Sequence, residues 1–169
     1  VRSKVSKQPL VCDTTIPLYL GRIGQVDLLP ALFAPVYIPE QVCLELDMGR
    51  ILRPDTINPR NLVWVELVSV SQVLIDSLPP NRLGTGERAV IASAQAYRGY
   101  VIGMDDLRAR QLAEAIGLKV TGTLGILLRA KQARLIPAVR PLVDDVVAQG
   151  FRLSPELHRD VLRLAGETP

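Results

Sequence analysis

Short apolar runs alternate along the chain with longer segments whose apolar residues return every three or four positions. Leu10-Val-Cys-Asp13 is a compact apolar run closed by an acid, and it predicts a buried strand. Residues 16–33 predict two short helices broken near Gly24, with Pro17 placed for a first helical turn. Pro35 and Pro39 bracket Val36-Tyr-Ile38, a β-rich run that predicts a second strand. Helix signals follow from Pro39 to about Met48, with Gly49 as the stop. Residues 50–61 hold Pro54, Asn58, Pro59 and Asn61 and predict a loop. Residues 62–67 predict a strand, and 68–83 carry no settled period before Pro79-Pro80 end them.

Gly84-Thr-Gly86 opens a predicted helix with Val90, Ile91, Ala94 and Tyr97 at helical spacing. Residues 100–104 predict a strand. Asp105 and Asp106 follow at once, then a helix presenting Ala109, Leu112, Ala113 and Ile116 and closed by Gly117. A short strand at 118–121 precedes a helix from Gly122 to about Leu135, expected to turn Leu124, Leu127, Leu128 and Leu135 inward. Two terminal helices are predicted at 138–149 and 154–165. Strands alternating with helices imply an α/β fold: three α/β/α layers around a central parallel sheet, with extra C-terminal helices. The expected organisation is a loose tail at 1–9, one domain at 10–136, and a helical extension at 137–169 packed on that domain.

Composition narrows the picture. The 169 residues suit one domain, and with 48% hydrophobic but 4% aromatic residues the core must be built from Val, Leu, Ile and Ala. No apolar run approaches the roughly 18 residues of a bilayer span, and no signal-type stretch follows the basic start; a cytoplasmic protein with no membrane partner is expected. Cys12 and Cys43 lie in apolar segments without CxxC spacing and are expected to be small buried hydrophobes. His158 is the only histidine, which excludes zinc sites built on histidine pairs. Net charge is +3, and residues 98–140 hold eight Lys or Arg against three acids. That bias fits either a surface for a polyanion or a solvated helix face.

The acids carry the candidate chemistry. Ligands of parallel α/β sheets bind at the carboxyl ends of the strands, where Asp13 and Asp105 are predicted to sit. Glu87 precedes Val90 and Ile91 by three and four residues and so extends an apolar stripe, while Glu45 sits at the edge of the inward face of its helix. Each also has a structural reading. Asp13 and Asp105 suit helix capping, Glu87 suits a helix first turn, and Glu45 suits an ion pair. Together, acids converging on one sheet edge repel one another, and a divalent cation removes that conflict. Oxygen ligands favour Mg²⁺ or Mn²⁺. Such an ion activates water and stabilises phosphoryl charge, pointing to phosphodiester hydrolysis or to a phosphatase.

The residues also resemble a known family. Val11-Cys-Asp-Thr-Thr-Ile-Pro-Leu resembles the opening strand of PIN-domain proteins, VapC-like toxin ribonucleases among them. Ile38-Pro-Glu-Gln-Val-Cys-Leu-Glu-Leu46 resembles their second acidic motif, Gly84-Thr-Gly-Glu-Arg-Ala-Val-Ile-Ala-Ser-Ala94 the third, and residues 100–110 the fourth. The run Lys119-Val-Thr-Gly-Thr-Leu-Gly-Ile-Leu-Leu-Arg-Ala-Lys is similar to that of a bacterial and archaeal branch. The resemblance covers about residues 9–136, with the terminal helices as that branch's extension. It implies a metal-dependent endoribonuclease, often the toxin of a toxin–antitoxin pair, acting on RNA and commonly a homodimer. It implies catalytic Asp13, Glu45, Glu87 and Asp105, with Mg²⁺ or Mn²⁺ held on Asp13, Glu87, Asp105 and Asp106, the last able to substitute or assist. Thr14, Thr15, Arg108 and Arg110 become candidates for positioning substrate. Two departures stand out: Gly103 occupies a position commonly Thr or Ser, and the third acid is Glu87 where Asp is usual. Apolar residues of the terminal helices, Val143, Val146 and Val147, are the expected dimer contacts. The alternative readings are a catalytically weak or inactive PIN-like domain that binds nucleic acid or a partner, and a Mg²⁺-dependent phosphohydrolase of another class.

Overall fold

The apolar runs assemble into one parallel sheet. The computed structural model describes residues 7–97 and 99–168; residues 1–6 of the expected tail, Arg98 and Pro169 lie outside the described residues. The strands are β1 (Leu10–Cys12), β2 (Val36–Pro39), β3 (Val65–Val68), β4 (Val101–Gly103) and β5 (Lys119–Thr121), in spatial order β3-β2-β1-β4-β5. Every pairing is parallel. β1 and β4 are buried at every residue, as strands covered on both faces must be.

The helices are α1 (Thr15–Arg22), α2 (Leu28–Leu32), α3 (Glu40–Leu52), α4 (Gln72–Asp76), α5 (Thr85–Ala96), α6 (Leu107–Ala115), α7 (Thr123–Gln132), α8 (Arg140–Ala148) and α9 (Pro155–Leu164). α5 buries Ala89 through Ala94 without a break and packs on β1, β2 and β4. Its small residues explain this: an Ala-rich helix can be enclosed on nearly all sides where a Leu-rich one would need more room. α3, α4 and α6 pack beside it, while α1, α2, α7, α8 and α9 contact one another as a second group. This is the expected three-layer α/β/α arrangement.

Three local expectations are corrected. α3 does not stop at Gly49 but runs to Leu52, since one glycine costs a helix only about 1 kcal/mol and Pro54 supplies the firm stop. β3 lies at 65–68 instead of 62–67, because its register follows the pairing of Val65 with Val36 and of Val68 with Pro39. Leu135 lies beyond α7 and is exposed; the residues that α7 buries are Thr123, Ile126, Leu127 and Ala130.

The terminal helices are tied in by core packing and by one carboxylate. Val143 and Val146 of α8 are fully buried against the chain's own core, so they are not free for a dimer contact, and only Val147 is exposed. Glu167 accepts from Lys131 Nζ at 2.6 Å and from the amides of Val139 and Arg140 at 2.6 and 2.9 Å, closing the chain end over the start of α8. Both cysteines are free and buried, as expected. No helix among the described residues is long and apolar enough to cross a membrane. Leu162 on α9 is fully buried. Leu162→Ala is expected to lower stability by about 2–5 kcal/mol while leaving one cooperative transition; urea unfolding followed by circular dichroism and Trp64 fluorescence checks this, and two separated transitions would show an independent extension.

Candidate active site

The chain winds from β1 outward to β3, then returns across β1 to build β4 and β5. Strand order therefore reverses between β1 and β4, where open α/β sheets form a crevice. Cys12 pairs with Gly103, so the residues just after both strands stand side by side. Asp13 N–H donates to Gly103 O at 2.8 Å and locks that register. Asp13 is 3% exposed, and its Oδ1 is buried with no hydrogen-bond partner among the described residues. It does not cap α1, which has no side-chain cap. An unpartnered buried carboxylate oxygen is costly, so it is the least structural feature of the region.

The other acids are each engaged. Asp105 lies two residues past β4 and grips the start of α7: Oδ1 accepts from Thr123 N at 2.8 Å and Oδ2 from Thr123 Oγ1 at 2.7 Å. It caps α7, where capping of the helix directly after it was the expected alternative. That role falls to Asp106, whose Oδ1 accepts from Ala109 N at 2.9 Å. Glu87 Oε2 accepts from Gly84 N at 2.9 Å, the first-turn role that its position allowed. Glu45 reaches across from α3: Oε2 accepts from Thr14 Oγ1 at 2.5 Å and Oε1 from Gly86 N at 2.8 Å. Among the described residues it makes no ion pair with a neighbouring cation, the structural role open to it in the sequence.

Electrostatics show that these groups share a region. Burial pushes the Asp13 carboxyl up to about 7; the Thr14 N–H opposes this, and the charges of Glu87, Glu45 and Asp105 add to it. Burial also raises Glu87, against the Gly84 N–H and with the help of Asp106 and Glu45. Asp105 is raised by burial despite its Thr123 bonds and the nearby Arg110 guanidinium. Even so, among the described residues no three acid, Cys or His side chains are grouped so as to hold a metal ion. The single four-acid centre expected from the sequence is thus not preformed. Asp105, Glu45, Glu87 and Asp106 rest on separate N–H and O–H donors, a cheaper answer to repulsion than crowding.

Thr15 lies beside Asp105 and helps hold its carboxyl charged, without a bond of standard geometry. Arg110 donates to Met104 O at 3.1 Å, whereas Arg108 is exposed. Sequence reasoning missed Thr123, Gly86 and Gly122. A Cβ on Gly122 would lie 2.7 Å from Asp105 Oδ1 and 2.9 Å from Arg110 Nη1. One on Gly86 would lie 2.6–2.8 Å from the Glu45 carboxylate. Thr123 follows a strand and opens a helix, the one local signal that marked it. Gly103 also gains a reason: Ile16 Cγ1 stands 3.2 Å from where its Cβ would be, so an isoleucine fills the place of a hydroxyl.

The family model described as DUF3368, a PIN domain, matches residues 9–167. This chain belongs to the PIN-domain family. Members of that family are typically nucleases. The chain is also 27% identical over 148 residues to a curated protein of Thioalkalivibrio sulfidiphilus (strain HL-EbGR7) named formamidopyrimidine-DNA glycosylase, covering 79% of this chain and 54% of that protein. The chain thus spans about half the length of that relative. Among solved structures, the PIN domain endonuclease Utp24 is similar with a TM-score of 0.48 and 14% identity, over 68% of this chain and 84% of that one.

Two outcomes follow from the PIN-domain site. Gly86→Ala is expected to leave the fold in place, because the clashing atoms are the movable end of Glu45, yet to displace that carboxylate; unchanged melting with altered Glu45 density in a crystal structure checks it. The second concerns pH. The folded chain binds the Asp13 proton more tightly than the unfolded chain does. Stability is therefore lost as pH rises from the ordinary carboxylate value through about 7, by up to about 4 kcal/mol. Thermal melts in EDTA are expected to fall by several degrees between pH 5 and 8, and the slope is expected to flatten in Asp13→Asn. An identical slope in the variant would assign the effect elsewhere.

Proposed function

We propose that this PIN domain is a metal-dependent endoribonuclease. The observation that carries the reading is the bare Asp13 Oδ1, buried at the strand-order reversal with Glu45, Glu87 and Asp105 close enough to repel it. Structure alone gives no reason to bury an unpaired carboxylate among three others; a cation does. The donor type suits a hard divalent ion, since the candidate ligands are all carboxylates; among the described residues no three of them are yet grouped to hold one, so binding would have to draw them together. Asp13, with Asp105 and Glu87, would hold Mg²⁺ or Mn²⁺, and a bound ion there supplies an acidified water and charge stabilisation on the phosphoryl oxygen. Asp106 would assist from the start of α6.

The chain's own residues set up the rest. Thr123 orients Asp105 through both oxygens. Glu45 is held in place by Thr14 and the Gly86 amide, beside Asp13 and Glu87. Arg110 beside Asp105, and the exposed Arg108, offer cations for a polynucleotide backbone. We further read the protein as a cytoplasmic toxin of a toxin–antitoxin pair, with an antitoxin partner and a homodimeric assembly. The exposed apolar residues Leu44, Met48, Ile51 and Leu52, at helical spacing on α3, support an assembly surface there.

A second reading has its own observation. The commitment of Glu45, Asp105, Glu87 and Asp106 to protein donors favours a domain that binds nucleic acid or a partner without cutting. One assay separates the two. Labelled RNA and single-stranded DNA are incubated with the protein in Mn²⁺, in EDTA, and with Asp13→Asn. The nuclease is expected to cut RNA in Mn²⁺ only, and the variant to lose at least about a hundredfold in rate, the usual scale for a catalytic group. Tight binding with no cleavage of either polymer sinks the nuclease reading. Cleavage of DNA alone transfers the activity to the other polymer.

A further inference from the structure

A groove of about 520 Å³ opens beside Asp105, between α7 and α9. Its walls are apolar: Leu124 and Leu128 from α7, Phe151 from the turn before α9, and Leu157, Val161 and Leu164 from α9. These are i, i+4 and i, i+4, i+7 stripes whose facing surfaces do not close on each other. Leu157 and Leu164 remain 47% and 68% exposed. Arg110 and Arg152 also line the groove, and Asp105 is the acid among its lining residues.

We propose that this groove receives an unstacked nucleobase of a single-stranded polynucleotide, next to the phosphodiester presented at Asp105. The proposal rests on the nuclease reading above and names where the substrate lies. Three features select the occupant. The groove is continuous with the candidate site. Its volume is that of a small-ligand pocket, ample for a base and its sugar. Its two guanidiniums complement a phosphate backbone, while its walls supply apolar and aromatic surface for a flat ring. Leu, Val and Phe present nothing that hydrogen-bonds to base edges. Recognition is therefore expected to rest on apolar contact more than on base identity, with Arg110, Arg152, Asp105 and Thr121 the polar side chains of the lining, and to demand an unpaired strand, since a base inside a duplex cannot turn outward without the cost of unstacking.

The test uses binding in EDTA, so cleavage plays no part. Fluorescence anisotropy compares a labelled hexanucleotide RNA, the same strand in a duplex, and a six-unit abasic ribose-phosphate strand. The protein is expected to bind the ordinary strand at least about fivefold more tightly than the other two, in line with the 1–3 kcal/mol that stacking of one base is worth. Leu157→Glu is expected to remove that preference, and Leu164→Glu repeats the test at a more exposed position. Leu135→Glu, exposed and outside the groove, is expected to keep it. Equal affinity for ordinary and abasic strands, no binding of any strand, or an unchanged preference in both groove variants overturns the proposal. Hydrolysis of bis(p-nitrophenyl) phosphate in Mn²⁺, which has no base to dock, reports separately on the nuclease reading. Wild-type activity there with no base preference leaves the nuclease standing and removes the groove. Base preference without that hydrolysis does the reverse.

Discussion

One backbone hydrogen bond sets the terms for everything at the carboxyl edge of the sheet. Asp13 N–H bonded to Gly103 O extends the β1–β4 register by one step, at the point where strand order reverses. Two acids that lie 92 positions apart in sequence are thereby held in one crevice. The strands are only three residues long, so little tolerance remains for slippage. A shift of one residue would put Leu10 and Cys12 on the face packed for Val11 and Val11 on theirs, mismatching the packing on both covered faces of the sheet. The register is thus protected by core packing, and the crowding of carboxylates comes with it.

Crowded carboxylates need counterweights, and the chain draws them from helix starts. The amides of Gly84, Gly86 and Thr123 each receive a carboxylate oxygen, and all three lie at the beginnings of α5 and α7. Helix N-termini carry partial positive charge and spare N–H groups, so they are the natural donors where no lysine is close. The same choice explains the glycines. Gly86 and Gly122 let a carboxylate approach the backbone where any Cβ would collide with it. Asp13 alone receives no such help at Oδ1, which is why the site's electrostatic strain concentrates on one oxygen.

The parts visible in the sequence were those that depend on local pattern. An apolar run ending in an acid identified Asp13 and the approach to Asp105, and alternating strands and helices identified the layered sheet. What escaped were interactions between distant segments. Thr123 meets Asp105 across 18 positions and Glu45 meets Gly86 across 41, and no period encodes either. Segments of uniform character hid their boundaries too. Residues 62–70 are β-like throughout, so pairing with β2 decided where β3 lies. The valines of α8 have an amphipathic pattern that suits a dimer or a core equally; packing against the chain's own core took Val143 and Val146.

On the C-terminal helices, core packing and the proposed base-binding groove draw on the same apolar surface. α9 spends Val161 and Leu162 on burial yet leaves Leu157 and Leu164 exposed on its other apolar positions. If stability alone governed the sequence, polar residues there would be neutral or better, since exposed leucines add little to folding. Glu167 already fastens the helix end through Lys131 and the start of α8, so α9 has no need of those leucines to stay docked. Their cost is aggregation risk and their position is beside Asp105. An apolar wall beside Asp105, with two arginines lining the same groove, is what a polyanion with flat apolar bases would require. The bare oxygen of Asp13 and the open side of α9 are therefore read most simply as two contacts of one substrate, the phosphate end and the base end.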